Sequence, residues 1–257
     1  MGYFERALRC AAIPESQTLN QNLLAAYHRW GFQLLRERAF PEAIACLNRG
    51  LAHFPFSEIL LYDIGVAYDS VGEHQRALLQ YQRAIQIAPE YPPPRIGMAA
   101  ALNNLGAQHA GRRDWKQAID CYQQALACDP GCEQAHQNLQ ATLMRIAWEK
   151  GEADDLEGAI STYQEVLTLS PKDAQVHNNL GVMYFKKQDY ENSTAHFEKA
   201  LALDENHIEA QRNLDYIKRQ HTTKLAKRAL GPLALVLVVA FLTMYLTARQ
   251  ANRLQRK

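Results

Sequence analysis

Small, aromatic and proline positions recur along this chain at long, regular intervals. Prolines stand at Pro55, Pro89, Pro130 and Pro171, separated by 34, 41 and 41 residues. Twelve residues before each proline lies an alanine: Ala43, Ala77, Ala118 and Ala159. Eight before come Leu47, Tyr81, Tyr122 and Tyr163, and five before come Gly50, Ala84, Ala125 and Val166. A further block runs from Leu180-Gly181 and Tyr184 to Phe197 and Ala200, with Glu205 in the place of the proline. Upstream, Ile64-Gly65 with Tyr68 and Leu105-Gly106 with His109 begin the same pattern. The pattern predicts two antiparallel helices per repeat. Small residues let the first approach the second, bulky ones fill the gap to the next pair, and the proline stops the second helix.

This arrangement, L-G-x-x-Y … A … F … A … P in a 34-residue unit, resembles the tetratricopeptide repeat (TPR) family over about residues 24–217. The resemblance implies an all-α, right-handed superhelical solenoid of five units, at 24–57, 58–91, 99–132, 140–173 and 174–207. Each 41-residue interval adds seven residues, nearly two helical turns, which preserves the apolar face with about 20° of drift. Between Gly131 and Gly151 this predicts a lengthened first helix. Before the third unit, Pro92-Pro93-Pro94 predicts a rigid extended step followed by a longer helix from about Arg95. Either extension serves a partner or is a tolerated insertion. Residues 1–23 contain Phe4-Glu5-Arg6-Ala7-Leu8, an echo of Phe197–Leu201. They are expected to form a capping half-repeat, because the end of a solenoid needs a cover. Residues 208–228 are expected to form a capping helix and a basic linker.

Residues 229–248, ALGPLALVLVVAFLTMYLTA, contain no charge and no polar face. At about 1.5 Å per residue this segment spans a bilayer core of roughly 30 Å, and Pro232 falls in its tolerant first turn. The expectation is a single transmembrane helix acting as a tail anchor, with 249–257 as a basic tail. Lys224, Lys227 and Arg228 before it, and Arg249 and Arg253 after it, are placed to meet lipid headgroups. The start of the chain, Met1-Gly2-Tyr3-Phe4-Glu5-Arg6, carries no export or myristoylation pattern. The repeats are therefore expected on the cytosolic, stromal or matrix side.

Hydrophobic residues at 47% and charged residues at 21% exclude a collagen-like or wholly disordered chain. The net charge of +1 averages two unlike parts. No acidic residue follows Asp215, and the last 40 residues hold nine basic ones, which leaves 19 basic against 27 acidic in residues 1–217. A repeat region of charge −8 repels phosphate, so nucleic acid is not an expected partner.

Five cysteines, Cys10, Cys46, Cys121, Cys128 and Cys132, with no C-x-x-C pair, do not form a disulfide framework. Cys128, Cys132 and His136 stand four apart, but Pro130 and Gly131 break any helix that would align them as ligands. They are read as small buried fillers, with no metal. The chain contains no P-loop, HExxH, GxSxG or G-x-G-x-x-G after a strand. No enzyme, cofactor or small-molecule substrate is expected.

The resemblance further implies a concave surface lined by the second, fifth, sixth and ninth positions of each first helix. The sixth position holds Asn104, Asn179 and Asn213, and Asn138 when the fourth unit is counted from Glu133. An amide both donates and accepts, so such a row either grips a peptide backbone, as in asparagine-ladder TPRs, or is repeat consensus that bonds neighbouring helices. Around it lie apolar positions, Phe32, Ile59, Tyr62, Val66, Met144, Trp148, Val182 and Phe185, which suit a protein client unless other helices cover them. The carboxylate clamp of chaperone-binding TPRs is absent, since His28, Phe32 and Asp63 occupy its places. The expected function is a membrane-anchored scaffold or adaptor holding a client during assembly of a membrane complex. The alternatives are a tail-anchored receptor for protein import or membrane remodelling, and an integral accessory subunit.

Overall fold

The structure, a computed structural model, describes residues 17–220 together with Met244. The N-terminal stretch 1–16 and the basic positions Lys224, Lys227, Arg228, Arg249 and Arg253 lie outside the described residues. So does the 229–248 segment, Met244 apart. No helix among the described residues is long and apolar enough to cross a membrane.

Every regular element among the described residues is a helix. In order they are α1 (Gln17–Arg36), α2 (Phe40–His53), α3 (Glu58–Ser70), α4 (His74–Ile87), α5 (Pro93–Gly111), α6 (Trp115–Cys128), α7 (Glu133–Glu152), α8 (Leu156–Leu169), α9 (Ala174–Lys186) and α10 (Tyr190–Leu203). An eleventh, α11, covers 208–220. Each second helix of a pair (α2, α4, α6, α8, α10) is 14 residues long. Four of them stop just before Pro55, Pro89, Pro130 and Pro171, because the residue preceding a proline is pushed out of helical conformation.

The chain divides into two compact units, residues 1–146 and 147–257, with the boundary inside α7. In the first unit, one cluster gathers Tyr27, Cys46, Leu47, Leu60 and Ile64 between α1, α2 and α3. The next pair sets Ala77 and Tyr81 against Ala101, and beyond it lie Ala99, Leu102, Ala125 and Ala135. In the second unit Tyr163, Val166, Val176 and Leu180 are fully buried, and Phe197 packs on Leu214 and Ile217 of α11. Rings and glycines interlock at a fixed offset of sixteen residues. A β-carbon at Gly106 would lie 2.7 Å from the Tyr122 ring, and one at Gly181 would lie 2.6 Å from Phe197. Ala147, fully buried, holds the equivalent place before Tyr163.

The first helices have two lengths. α3 and α9 are 13 residues long, whereas α1, α5 and α7 reach 20, 19 and 20. The lengthened helix expected between Gly131 and Gly151 is α7. The extended proline step is not found. Pro92 is the N-cap of α5 with φ −67° and ψ −36°, and Pro93 and Pro94 form the first turn. First-turn amides have no intrahelical acceptor, so prolines without N–H groups cost nothing there and arrive with φ already helical. At the N-terminus, residues 17–23 are not a separate cap. They continue α1, and Leu23 and Leu24 pack against the Tyr27 cluster.

Every turn from a first to a second helix closes in the same way. One residue takes a left-handed conformation: Arg38, Gly72, Arg113, Asp154 or Gln188, with φ between 59° and 81°. The next amide then reaches back to a carbonyl five residues earlier, as from Glu73 to Tyr68 and from Asp189 to Tyr184, both at 2.9 Å. This pattern satisfies carbonyls that the helix end leaves open. Gly72 is the one glycine among the five, and a β-carbon there would meet nothing within 4 Å. Gly72→Ala therefore isolates the conformational penalty, and a thermal melt should show a loss of about 1 kcal/mol.

Candidate protein-binding surface

Polar side chains on successive first helices pair with one another, repeatedly 35 residues apart. In the first unit His28 Nδ1 donates to Asp63 Oδ2 at 2.6 Å, Asn104 Nδ2 donates to Asp69 Oδ2 at 3.4 Å, and Asn138 Nδ2 donates to Asn103 Oδ1 at 2.8 Å. In the second unit Asn213 Nδ2 donates to Asn178 Oδ1 at 3.0 Å. Lys186 Nζ donates to the Gly151 carbonyl at 3.1 Å. These rungs tie one repeat to the next on the face of the first helices. The offset is one more than the 34-residue repeat; in His28–Asp63, Asn103–Asn138 and Asn178–Asn213 a fifth position bonds the sixth position of the following unit, whereas Asp69 is the twelfth position of its unit.

The rungs use groups that burial would otherwise leave unpaired. Asp63 is 2% exposed. Burial raises its pKa, and the hydrogen bond from His28 opposes the rise. Asp69 also accepts from His74 Nδ1 of α4 at 2.5 Å, so one carboxylate joins three helices. Asn103 and Asn178 are buried as well. A buried amide oxygen stripped of its donor costs about 1–3 kcal/mol. Asn213→Ala should therefore lower the midpoint of chemical denaturation by an amount in that range.

All four asparagines at the sixth position thus make bonds within the chain. Asn104 pairs with Asp69, Asn138 with Asn103 and Asn213 with Asn178; Asn179 Oδ1 accepts from Gln175 Nε2 at 3.0 Å and Asn179 bonds the Tyr163 hydroxyl. Their upstream partners Asp69, Asn103 and Asn178 are positions that repeat spacing alone passes over. For Asn103 and Asn178 the signal is a polar residue one place ahead of the asparagine row; Asp69 carries no such mark.

The apolar candidates divide by exposure. In the first unit Phe32 is 51% exposed and lies 6.3 Å, ring to ring, from His28. Tyr62 and Val66 are half-buried and pack into the Ala77–Tyr81–Ala101 cluster. Tyr62 also meets Tyr81 at 5.9 Å and Tyr91 edge-on at 6.3 Å. In the second unit Trp148 is 49% exposed. Phe185 is half-buried and sits edge-on to Tyr190 and Tyr216, both at 5.7 Å. Phe32 and Trp148 therefore present the most aromatic surface of the candidates, whereas Tyr62, Val66 and Phe185 serve packing at the same time.

The described cysteines contribute little chemistry. Burial pushes the Cys46 thiol up to about 11 and raises Cys121 and Cys128, which keeps them protonated at neutral pH. Cys128 and Cys132, expected as buried fillers, are only half-buried where they pack against the cluster around Ala99 and Ala135. Among the described residues no group of three or more His, Cys, Asp and Glu side chains is placed to hold a metal ion.

Sequence profiles described as tetratricopeptide repeat match residues 33–92, 99–132 and 174–207, and one described as TPR repeat matches 152–188. Together they cover more than half of the chain. Among curated proteins none matches. Among solved structures, a TPR repeats protein from Bacteroides fragilis is 15% identical, covers 77% of this chain and 98% of its own, and superposes with a TM-score of 0.58. MamA from Desulfovibrio magneticus is 22% identical over 72% of this chain and 97% of its own, with a TM-score of 0.38. YrrB, described as a TPR protein with an unusual peptide-binding site, is 19% identical over 73% of this chain and 89% of its own, with a TM-score of 0.37. The repeat profiles, the stacked helical pairs and the shared fold together establish that the chain belongs to the tetratricopeptide-repeat family.

Proposed function

We propose that the protein is a non-catalytic scaffold that holds a protein client on the face of its first helices, and that residues 229–248 tether it to a membrane. The observation that carries the first half is the half-exposed Phe32 on the first helix α1, set beside His28, which is already engaged in a rung with Asp63; in the second unit Trp148 is half-exposed as well. A surface whose polar groups are mutually satisfied and whose large rings face solvent favours apolar side chains of a partner over a bare peptide backbone. The uncharged twenty-residue run supports the tether. Confining scaffold and client to one surface raises their effective concentration, so a modest affinity is enough. Assembly or stabilisation of a membrane complex is the role that fits both halves.

The test is photocrosslinking in native membranes, with a crosslinking residue placed in turn at positions 32, 148 and 79. Leu79 is 55% exposed on the second helix α4 and serves as the control for apolar exposure alone. Positions 32 and 148, each read for its own unit, should trap a client protein, and position 79 should not. Equal yields at all three positions would refute a client site on the first helices.

A further inference from the structure

Asp63 of α3 is 2% exposed, yet its rung engages only one of its oxygens. Oδ2 accepts from His28, whereas Oδ1 has no hydrogen-bond partner among the described residues and is not sealed from solvent. Burial raises the Asp63 pKa, and the hydrogen bond and charge of His28 offset the rise only in part. Neither Arg29 of α1 nor Arg95 of α5 adds to that offset. A carboxylate taken out of water and short of positive charge favours a cation at its open side.

Three tyrosines surround this carboxylate. Burial first, then the Asp63 charge, raises the pKa of Tyr62 and of Tyr91, and the same charge contributes to the rise at Tyr81. Tyr81 is buried, whereas Tyr62 and Tyr91 are half-buried. The rings of Tyr62 and Tyr91 stand at 82° with centroids 6.3 Å apart, so they form a corner. The faces of such rings carry negative potential, and Glu58 adds a further negative charge beside Tyr91. Tyr91 is held in place, because its amide donates to the Ala88 carbonyl at 3.1 Å and the following Pro92 restricts its backbone. Asp69, which acts on Tyr81, is already taken up by His74 and Asn104.

We infer that this corner binds a basic side chain of the protein client, an arginine or lysine whose cationic head meets the Tyr62 and Tyr91 rings beside Asp63. The inference rests on the reading of this face as client-binding and names the chemistry of what it takes. A cation is drawn both to the negative ring faces and to the carboxylate. The aliphatic stem of arginine or lysine suits the ring walls while its head reaches the charge. An acidic or neutral partner would instead leave Asp63 without relief. His28 joins the corner to the exposed ring beside it, since it bonds Asp63 and lies 6.3 Å, ring to ring, from Phe32. The client segment is therefore expected to carry an apolar residue close to the basic one.

The experiment is aromatic-ring NMR of the full-length chain in nonionic detergent micelles, isotope-labelled at tyrosine only. The probes are acetyl-arginine amide and acetyl-citrulline amide, which share a shape but not a charge. The Tyr62 and Tyr91 signals, assigned through Tyr62→Phe and Tyr91→Phe, should shift saturably with the arginine compound in the millimolar range. The citrulline compound should bind about tenfold more weakly or worse. Asp63→Asn keeps an acceptor for His28 while removing the charge, and should weaken arginine binding about tenfold. Tyr91→Leu removes one wall and should weaken it about threefold or more. Equal shifts from the two compounds would overturn the inference, as would an affinity unchanged in Asp63→Asn or the absence of any saturable shift. Arginine binding without client crosslinking at position 32 would uphold the corner and count against the client reading alone.

Discussion

Leu237→Arg combined with Phe241→Arg is expected to release the full-length chain from membranes. Both residues lie near the middle of 229–248, a run without a single charged side chain. Insertion of an arginine near the centre of a spanning helix costs about 2.5–3.5 kcal/mol, so the pair removes roughly 5–7 kcal/mol of insertion free energy. That is enough to turn firm anchoring into predominantly unbound protein. After alkaline washing, the unaltered chain should stay with the membrane pellet and the double variant should move to the supernatant. The helical content of the repeats should be the same in both, because α1–α11 do not include either position. A variant that remains in the alkaline-washed pellet would remove the anchor from the proposed function and leave a client-binding repeat protein.

The helical pairs were legible because their determinants are local and periodic. Ala77, Tyr81 and Ala84 mark the buried face of α4 by spacing alone, and each proline stop falls just after a second helix. The lengthened α7 was equally readable, since seven added residues keep the apolar stripe in phase. The start of α5 was not. Consecutive prolines suggest extended chain, and only the helix beyond them reveals that they occupy positions where a missing amide is harmless. Four of the five left-handed turn residues were hidden too, because Arg38, Arg113, Asp154 and Gln188 carry no glycine signature. There the adjoining helices impose the conformation that the residue type does not request. At the surface, sequence singled out the asparagine row but not its partners. Asn103 and Asn178 sit one place out of the register that identified Asn138 and Asn213, so a pairing across 35 residues is invisible to a search at 34. The balance of exposure was likewise beyond the pattern: Tyr62 and Phe32 read alike in sequence, yet Tyr62 is wedged between Tyr81 and Tyr91.

Acidification is expected to destabilise the second unit, chiefly through His196. His196 of α10 stacks on His177 and on Tyr184 of α9, with ring centroids 5.3 Å apart in each case. The Nδ1 atoms of the two histidines are 3.1 Å apart. One of these nitrogens must donate and the other accept, so the contact needs at least one neutral ring. Burial, then the proximity of His177 and Lys199, lowers the His196 pKa from 6.5 to about 4. Burial and Lys199 lower His177 in the same direction. A histidine whose pKa is depressed on folding binds protons more readily when unfolded, so its stabilisation is complete above the unfolded pKa. It is lost as pH falls from about 6.5 towards 4. Linkage places the His196 contribution at about 2 kcal/mol between pH 7.5 and pH 5, approaching about 3 kcal/mol at lower pH. Asp63 in the first unit acts in the opposite sense, because its raised pKa makes the folded state hold a proton more firmly as pH falls. The comparison should therefore be made against His196→Phe, which keeps a ring in the stack and removes the titration. Urea denaturation monitored on the second unit should show the unaltered chain losing about 2 kcal/mol more than the variant between those two pH values. Parallel losses in the two proteins would mean that the His177–His196 contact does not control acid stability.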